Sequence, residues 1–375
     1  MYKNITNHYD PSQKRPKLVT EQKVLQDPDD QFGFAHHPRI AYFKGRIYVI
    51  YSTGYMHEDD VGQHVRICST DDFEEWTEPK VLVPPYPGEF REGTSSPSGL
   101  YSTGDTLICY YSQSEYKEEV LINGHRGSKT GGRIRRGFWA ITSKDGEHRS
   151  EPIENCGGFG ANHSPKMLKS GRLLYSGSFA HPYSDNPDGI HGWVVNPAYP
   201  PGYPNNQAFE DGEGVFTATG VVSNTKVGLC EGSFVQVEDG TIYMLYRSGT
   251  PYLWAAESHD DGETWTLPQP TLFTDNRTKF HLGQLPSGKY YYVGTPDPFP
   301  PRTRHVLALS LSDNGLDYNQ HFLLDDTQYK GKYLGYDKNG IYGYPSTMIH
   351  NGYLYVAFSI CKEQIRCLRV PIDTL

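Results

Sequence analysis

Short apolar runs alternate with turn residues along the whole chain, and one pattern recurs six times: an apolar strand, a tight turn ending in glycine, and a second strand rich in Tyr, Ile, Leu and Val. The copies are IAYFKGRIYVIYS (40–52), GLYSTGDTLICYYS (99–112), KMLKSGRLLYSGS (166–178), VQVEDGTIYMLYRS (235–248), GQLPSGKYYYVGT (283–295) and TMIHNGYLYVAFS (347–359). Their turn glycines are Gly45, Gly104, Gly171, Gly240, Gly288 and Gly352, each at a position where a hairpin needs positive φ without a Cβ clash. After most hairpins a second strand pair is legible, as in VRICSTDDFEEWTEP (65–79), FWAITSKDGEHRSEP (138–152), LWAAESHDDGETWTLP (253–268) and HVLALSLSDNGLDY (305–318). Six copies of a four-stranded unit predict an all-β protein, a six-bladed β-propeller of four-stranded antiparallel blades over residues 33–375, with residues 1–32 closing or flanking the ring.

Composition agrees with short strands and many turns: 39 Gly, 27 Pro, 36% hydrophobic and 13% aromatic residues, 29 of them Tyr. A net charge of −9 excludes nucleic-acid or anionic-membrane binding through bulk charge and confines any anion recognition to a local pocket. The six cysteines lie far apart with no C-x-x-C pair, which predicts free buried thiols. No apolar leader opens the chain and no run of 18 apolar residues occurs, so the expectation is a soluble, reduced cytoplasmic protein with no membrane contact. Two segments break the regularity, a polar stretch at 113–137 carrying Arg126, Arg133, Arg135 and Arg136, and a Gly, Pro and Asn-rich stretch at 181–226; both read as long loops.

In a propeller the start of each first strand, the end of each second strand and the connection to the third converge on one face. That rule collects His36 and His37, Ser96, His163, Glu231, His281 and Tyr344 at the strand starts, with Arg39 just inside. It adds Arg247 at the end of a second strand, the run Glu58, Asp59 and Asp60 in the first connection, and Arg302 and Arg304 before a third strand. Arg247 interrupts an otherwise apolar strand, which is costly unless an acidic partner or ligand meets it.

SHDDGETW (258–265) has the form S-x-D-x-G-x-x-W and resembles the Asp-box of sialidases; STDDFEEW (69–76) and LSDNGLDY (311–318) are degenerate copies, the first with Phe73 in place of glycine. The resemblance to the sialidase superfamily extends from about residue 33 to the C-terminus and carries residue roles with it. It implies Glu231 in LCEGSFVQVEDG as the group that activates a tyrosine nucleophile, Tyr344 in GIYGYPST as that nucleophile, and Asp59 or Asp60 as acid/base. Arg247, Arg304 and, more loosely, Arg39 would clamp a sugar carboxylate; the family's Arg-Ile-Pro order is lost, since Pro38 precedes Arg39. The activity so implied is an exo-acting, retaining glycosidase that removes a terminal acidic sugar and needs neither cofactor nor metal. An anomeric carbon bearing a carboxylate repels a carboxylate nucleophile, and a neutral phenol is the better attacking group.

His37, His163 and His281 stand at ring positions where that pattern has no histidines, and they support a second reading, a propeller lyase or a glycosidase of another sugar that works through histidine. A third reading is a non-catalytic carbohydrate-binding propeller, disfavoured by the joint presence of Glu231, Arg247, Arg304 and Tyr344.

Overall fold

The computed structural model describes residues 1–118, 120–122, 125–127, 133–155, 161–177, 180–195, 216–217, 220–221, 229–335 and 337–375, with side chains described outside 120–122, 125–127, 216–217 and 220–221. The regular structure among the described residues is β; one 3₁₀ turn at Ile372–Thr374 is the helical exception, and no helix is long and apolar enough to cross a membrane.

All six predicted hairpins form, and the six turn glycines have φ between 77° and 94°. Each hairpin supplies the first two strands of an antiparallel sheet. The first sheet runs Phe34–Phe43, Arg46–Gly54, His64–Thr70, Lys80–Val83, and the second Thr94–Ser102, Leu107–Tyr116, Arg133–Ser143, Ile153–Glu154. The third has three short strands among the described residues, Lys166–Met167, Leu173–Leu174 and Tyr183–Ser184. The fourth runs Cys230–Gln236, Ile242–Arg247, Tyr252–Ser258, Gln269–Thr274 and carries Tyr2–Thr6 as a fifth, parallel edge strand. The fifth runs His281–Gln284, Tyr290–Gly294, Leu307–Ser312, Gln320–Asp325. The sixth takes three strands from the C-terminus, Tyr342–His350, Tyr353–Ile360 and Gln364–Pro371, and its outer strand, Glu21–Gln26, from the N-terminal region.

Because side chains alternate along a strand, each second strand feeds two cores. Val49 and Tyr51 pack with Tyr355 and Ala357 of the sixth sheet, whereas Tyr48 and Ile50 pack with Leu100 and Tyr111 of the second. Four further apolar clusters join the second sheet to the third, third to fourth, fourth to fifth and fifth to sixth.

Two expectations change. The stretch 113–137 is not one long loop: its ends extend the second sheet's central hairpin, pairing Arg133 with Tyr116 and Arg135 with Ser114. The side chain of Arg126, most of 196–228 and Cys156 fall outside the described residues; the other five cysteines are free thiols. The degenerate turn copies also fold like the intact one. Gly262 N donates to Ser258 Oγ at 2.9 Å, Phe73 N to Thr70 Oγ1 at 2.9 Å, Gly146 N to Ser143 Oγ at 2.8 Å and Gly315 N to Ser312 Oγ at 2.9 Å. Phe73 takes φ 73°, where glycine would be favoured, and Trp76 Nε1 donates to its carbonyl just as Trp265 Nε1 donates to that of Gly262, both at 3.1 Å. The Phe73 ring is fully buried against Trp76, Tyr355 and the Arg369 guanidinium, contacts that offset the roughly 1–2 kcal/mol cost of its backbone.

Candidate active site

The first strands of the first, second, fourth and sixth sheets are each interrupted near their start by a bulge, between His36 and Arg39, Pro97 and Gly99, Cys230 and Gly232, and Gly343 and Ser346. A bulge frees one residue from the ladder and re-aims its side chain. Here the freed residues include His37, Glu231 and Tyr344, with φ of 57°, 49° and 53°; Asp59, Arg277 and Arg304 share the left-handed region. Such backbones cost on the order of 1–2 kcal/mol per residue and concentrate where side-chain placement matters more than local comfort.

At the centre, Tyr344 is 6% exposed and its hydroxyl accepts a hydrogen bond from Arg247 Nη1 at 3.1 Å. The same nitrogen donates to the Glu231 carboxylate, to which the Tyr344 hydroxyl is also hydrogen-bonded. Burial alone would raise the Glu231 carboxyl, but Arg247, the Tyr344 hydroxyl and Lys279 outweigh it and hold Glu231 below the ordinary range. Burial and the Glu231 charge push Tyr344 well above an ordinary phenol, with Arg247 opposing. The resting pair is therefore a neutral phenol beside a charged carboxylate.

Arg39 and Arg304 flank this pair within electrostatic reach of Tyr344 and Glu231. Arg304 donates from Nη2 to the Arg277 carbonyl at 2.9 Å, while its buried Nε has no partner among the described residues. Arg39 donates to the Pro38 and Ser98 carbonyls at 2.7 and 3.2 Å, and burial lowers it to about 10. In an Arg-Ile-Pro order counted back from Pro38, the arginine position is held by His36, whose ring lies 4.1 Å from that of Tyr344.

The acidic run separates into three roles. Glu58 is buried between His37 Nε2 at 3.4 Å and Lys362 Nζ at 2.5 Å; burial opposes its ionisation, but Lys362 and His37 hold it well below the ordinary carboxylate range. Asp59 faces Arg133 Nη1 at 3.1 Å, and its backbone N–H is held by Gln63 Oε1. Asp60 is 1% exposed and accepts from the Val61 N–H in its own turn.

His37 Nδ1 lies 2.8 Å from Ser52 Oγ and His36 Nδ1 2.7 Å from Ser359 Oγ, and the two rings stack obliquely beside Tyr344. His36, His37 and Glu58 each offer one ligand atom within 4.8 Å of the others, a spacing compatible with a metal ion, but the Lys362 ammonium already holds Glu58. His163 and His281 are not part of this group: they stack on each other at 4.7 Å, with His281 Nδ1 2.8 Å from Thr347 Oγ1.

The structure thus brings Glu231, Arg247 and Tyr344 into direct contact, places Arg39, Arg304 and His37 around them, and sets His163 and His281 apart. Residue-by-residue reading missed Lys279, Lys362 and Asp275. Lys279 is 1% exposed with no partner on Nζ among the described residues, and lies 5.5 Å from the Tyr344 ring centre. It sits two residues before His281, inside the strand-start window that selected the ring. Asp275, fully enclosed, accepts from Thr278 N and Tyr292 Oη at 2.9 Å each. A separate cavity of about 740 Å³, lined by Thr303, Tyr329, Tyr333, Lys338 and Glu363, contains none of the central residues.

Comparison with known proteins agrees with this architecture. The BNR repeat-like domain family matches residues 45–356, and the chain belongs to that family. It is similar in structure to a protein described as a sialidase (TM-score 0.63, 19% identity, covering 99% of this chain and 34% of that one). It is also similar to Trypanosoma rangeli sialidase in complex with sialic acid (TM-score 0.61, 12% identity, 95% and 60% covered) and to a protein of unknown function from Dyadobacter fermentans (TM-score 0.62, 16% identity, 95% and 100% covered). The chain spans about a third of the first of these sialidases and about three fifths of the second. No curated protein sequence matches.

Proposed function

We propose that the six sheets form one closed six-bladed propeller and that the protein is an exo-acting, retaining glycoside hydrolase for a terminal acidic sugar of the sialic-acid type. The observation that carries the reading is the Tyr344 hydroxyl shared between the Arg247 guanidinium and the Glu231 carboxylate. In the first step Tyr344 Oη attacks the anomeric carbon, its proton passes to Glu231, and the glycosidic C–O bond breaks as the leaving oxygen takes a proton from the acid in the first-sheet connection. Asp59 is the better candidate for that acid: its carboxylate reaches outward to the second sheet's hairpin, whereas Asp60 is enclosed in its own turn. In the second step the same carboxylate takes a proton from water, whose oxygen attacks the anomeric carbon as the C–O bond to Tyr344 breaks and Glu231 returns its proton to the Tyr344 oxygen. Arg247, Arg304 and Arg39 hold the sugar carboxylate, with Lys279 as a further positive charge; an arginine fork makes two parallel bonds to a carboxylate. The turn at 258–265 is an Asp-box in this reading, a structural element of the fourth sheet.

Tyr344→Phe is expected to lower kcat on an aryl sialoside by about 10²-fold or more with little change in Tm. Wild-type turnover in that variant would remove the tyrosine from the mechanism. The pairing of His37 with Glu58 favours a second reading, a lyase in which His37 abstracts a proton beside a uronate carboxylate. Product analysis separates the two, since a lyase leaves an unsaturated sugar absorbing in the near ultraviolet and a retaining hydrolase does not.

A further inference from the structure

Beside the Tyr344 group, where the starts of the third and fifth sheets meet at one cavity, the chain gathers basic side chains that no acid among the described residues pairs with. His163 is 2% exposed and neither of its ring nitrogens has a hydrogen-bond partner among the described residues. It stacks on His281 with an interplanar angle of 17°. Lys166 Nζ is anchored by two carbonyls, those of Phe234 at 3.1 Å and Leu282 at 2.5 Å, and Lys279 Nζ by none. Among the described residues none of Lys166, Lys279 and Arg39 has a carboxylate at ion-pair distance; Glu231, the acid that acts on Arg39 and Lys279 from further off, is already bonded to Arg247.

His163, His281 and Lys166 all line one cavity of about 420 Å³, which the first, second, fifth and sixth sheets also border. Its remaining polar walls are hydroxyls and one amide, among them Ser164, Ser346 and Thr347, and no carboxylate lines it. Burial alone lowers Lys166 to about 7, and burial with the nearby Arg39 charge holds Lys279 well below the ordinary lysine range. Burial without a counter-charge holds these groups toward their neutral forms, His163 and His281 included, yet the partnerless His163 ring nitrogens and the Lys166 ammonium stand at one polar cavity where an anion would return them to their protonated, donating forms. The donors approach from several directions, ammonium, imidazole and hydroxyl, which suits a tetrahedral oxyanion with four acceptor oxygens better than a spherical halide.

We infer that this cavity is a binding site for a small inorganic oxyanion of the sulfate or phosphate type, held by Lys166, His163 and His281, with Lys279 contributing charge from beside it. It is distinct from the arginines proposed to hold the substrate and stands whether or not the glycosidase reading does.

The test uses the full chain in low-ionic-strength buffer, with sodium sulfate as probe in titration calorimetry and thermal unfolding. One sulfate per chain is expected to bind, raising Tm beyond the effect of sodium chloride at equal ionic strength. Lys166→Met and His163→Phe should each weaken that binding by about tenfold or more, the worth of one hydrogen bond to a charged group. Arg304→Met, which removes a cation outside the cavity, should retain it. Should either cavity variant fold poorly, Lys279→Met serves instead: it removes an unpartnered buried charge, so in sulfate-free buffer its Tm should equal or exceed that of the parent while its sulfate response shrinks. No sulfate heat in the parent, an equal response to chloride, or a response lost in Arg304→Met but intact in both cavity variants would overturn the inference.

Discussion

The cluster around Tyr344 and the cluster around His163 are built from the same kinds of residue and solve opposite problems. Beside Tyr344 two largely enclosed carboxylates are matched: Glu231 by Arg247, Glu58 by Lys362 and His37. Around His163 the basic side chains meet carbonyls, a hydroxyl and one another, and burial holds both imidazoles well below the ordinary histidine range. A buried ion pair is tolerated when its geometry and hydrogen bonds are complete, whereas a single buried charge is not. The upper cluster is thus already neutralised where the chemistry is proposed, leaving Arg304 and Arg39 to receive a ligand's charge, while the lower cluster has no carboxylate at ion-pair distance among the described residues.

The largest expected effect comes from breaking the matched pair. Arg247→Met leaves Glu231 enclosed without its cation and should cost about 3–5 kcal/mol in urea unfolding; a cost under about 1 kcal/mol would mean that water already screens the pair and that the contrast between the clusters is false. A middle-sized effect belongs to Asp275, whose carboxyl burial raises to about 6 in spite of its hydrogen bonds from Thr278 and Tyr292. A carboxyl raised in the folded state contributes stability that is fully present below its unfolded value of about 4 and is lost as pH rises through about 6. Asp275→Asn should therefore flatten a decline of about 2–3 kcal/mol that the parent shows between pH 4 and 7, read by unfolding at a series of pH values. A parent profile with no such decline would show that Asp275 ionises freely. The smallest effect sharpens the other side: Lys279→Met should raise stability by about 1 kcal/mol at pH 7 in oxyanion-free buffer, opposite in sign to Arg247→Met, because it removes a buried charge without orphaning a partner. A loss of stability there would reveal a partner for Lys279.

Much of this was legible along the chain because its causes are local. A glycine at positive φ, a Ser or Thr hydroxyl closing a turn and a period-2 apolar pattern depend on a few neighbouring residues, and all six hairpins follow from them. The ring positions were legible for the same reason, and a further local signal lay unused: His37, Ser96, His163 and Tyr344 are followed by proline within two residues, and Glu231 by Gly232. Proline has no N–H for the ladder and is tolerated in a strand at a bulge or edge. In the first and sixth sheets that proline sits within the bulge that turns His37 and Tyr344 out of the ladder.

Three matters needed the tertiary structure. Phe73 reads as a broken glycine turn until the sixth sheet supplies Tyr355 and Arg369 to pack its ring; a contact across nearly 300 residues overrides a local preference. The outer strand of the sixth sheet, Glu21–Gln26, pairs with a segment at the far end of the chain, and nothing within residues 21–26 names that partner. The sorting of charges was equally hidden: Glu58, Asp59 and Asp60 are adjacent in sequence yet meet Lys362, Arg133 and their own turn, respectively. Sequence determined which side chains stand at the strand starts, since strand period and turn chemistry are local; which of them are paired, and which are left to meet a ligand, was decided by sheets brought together from opposite ends of the chain.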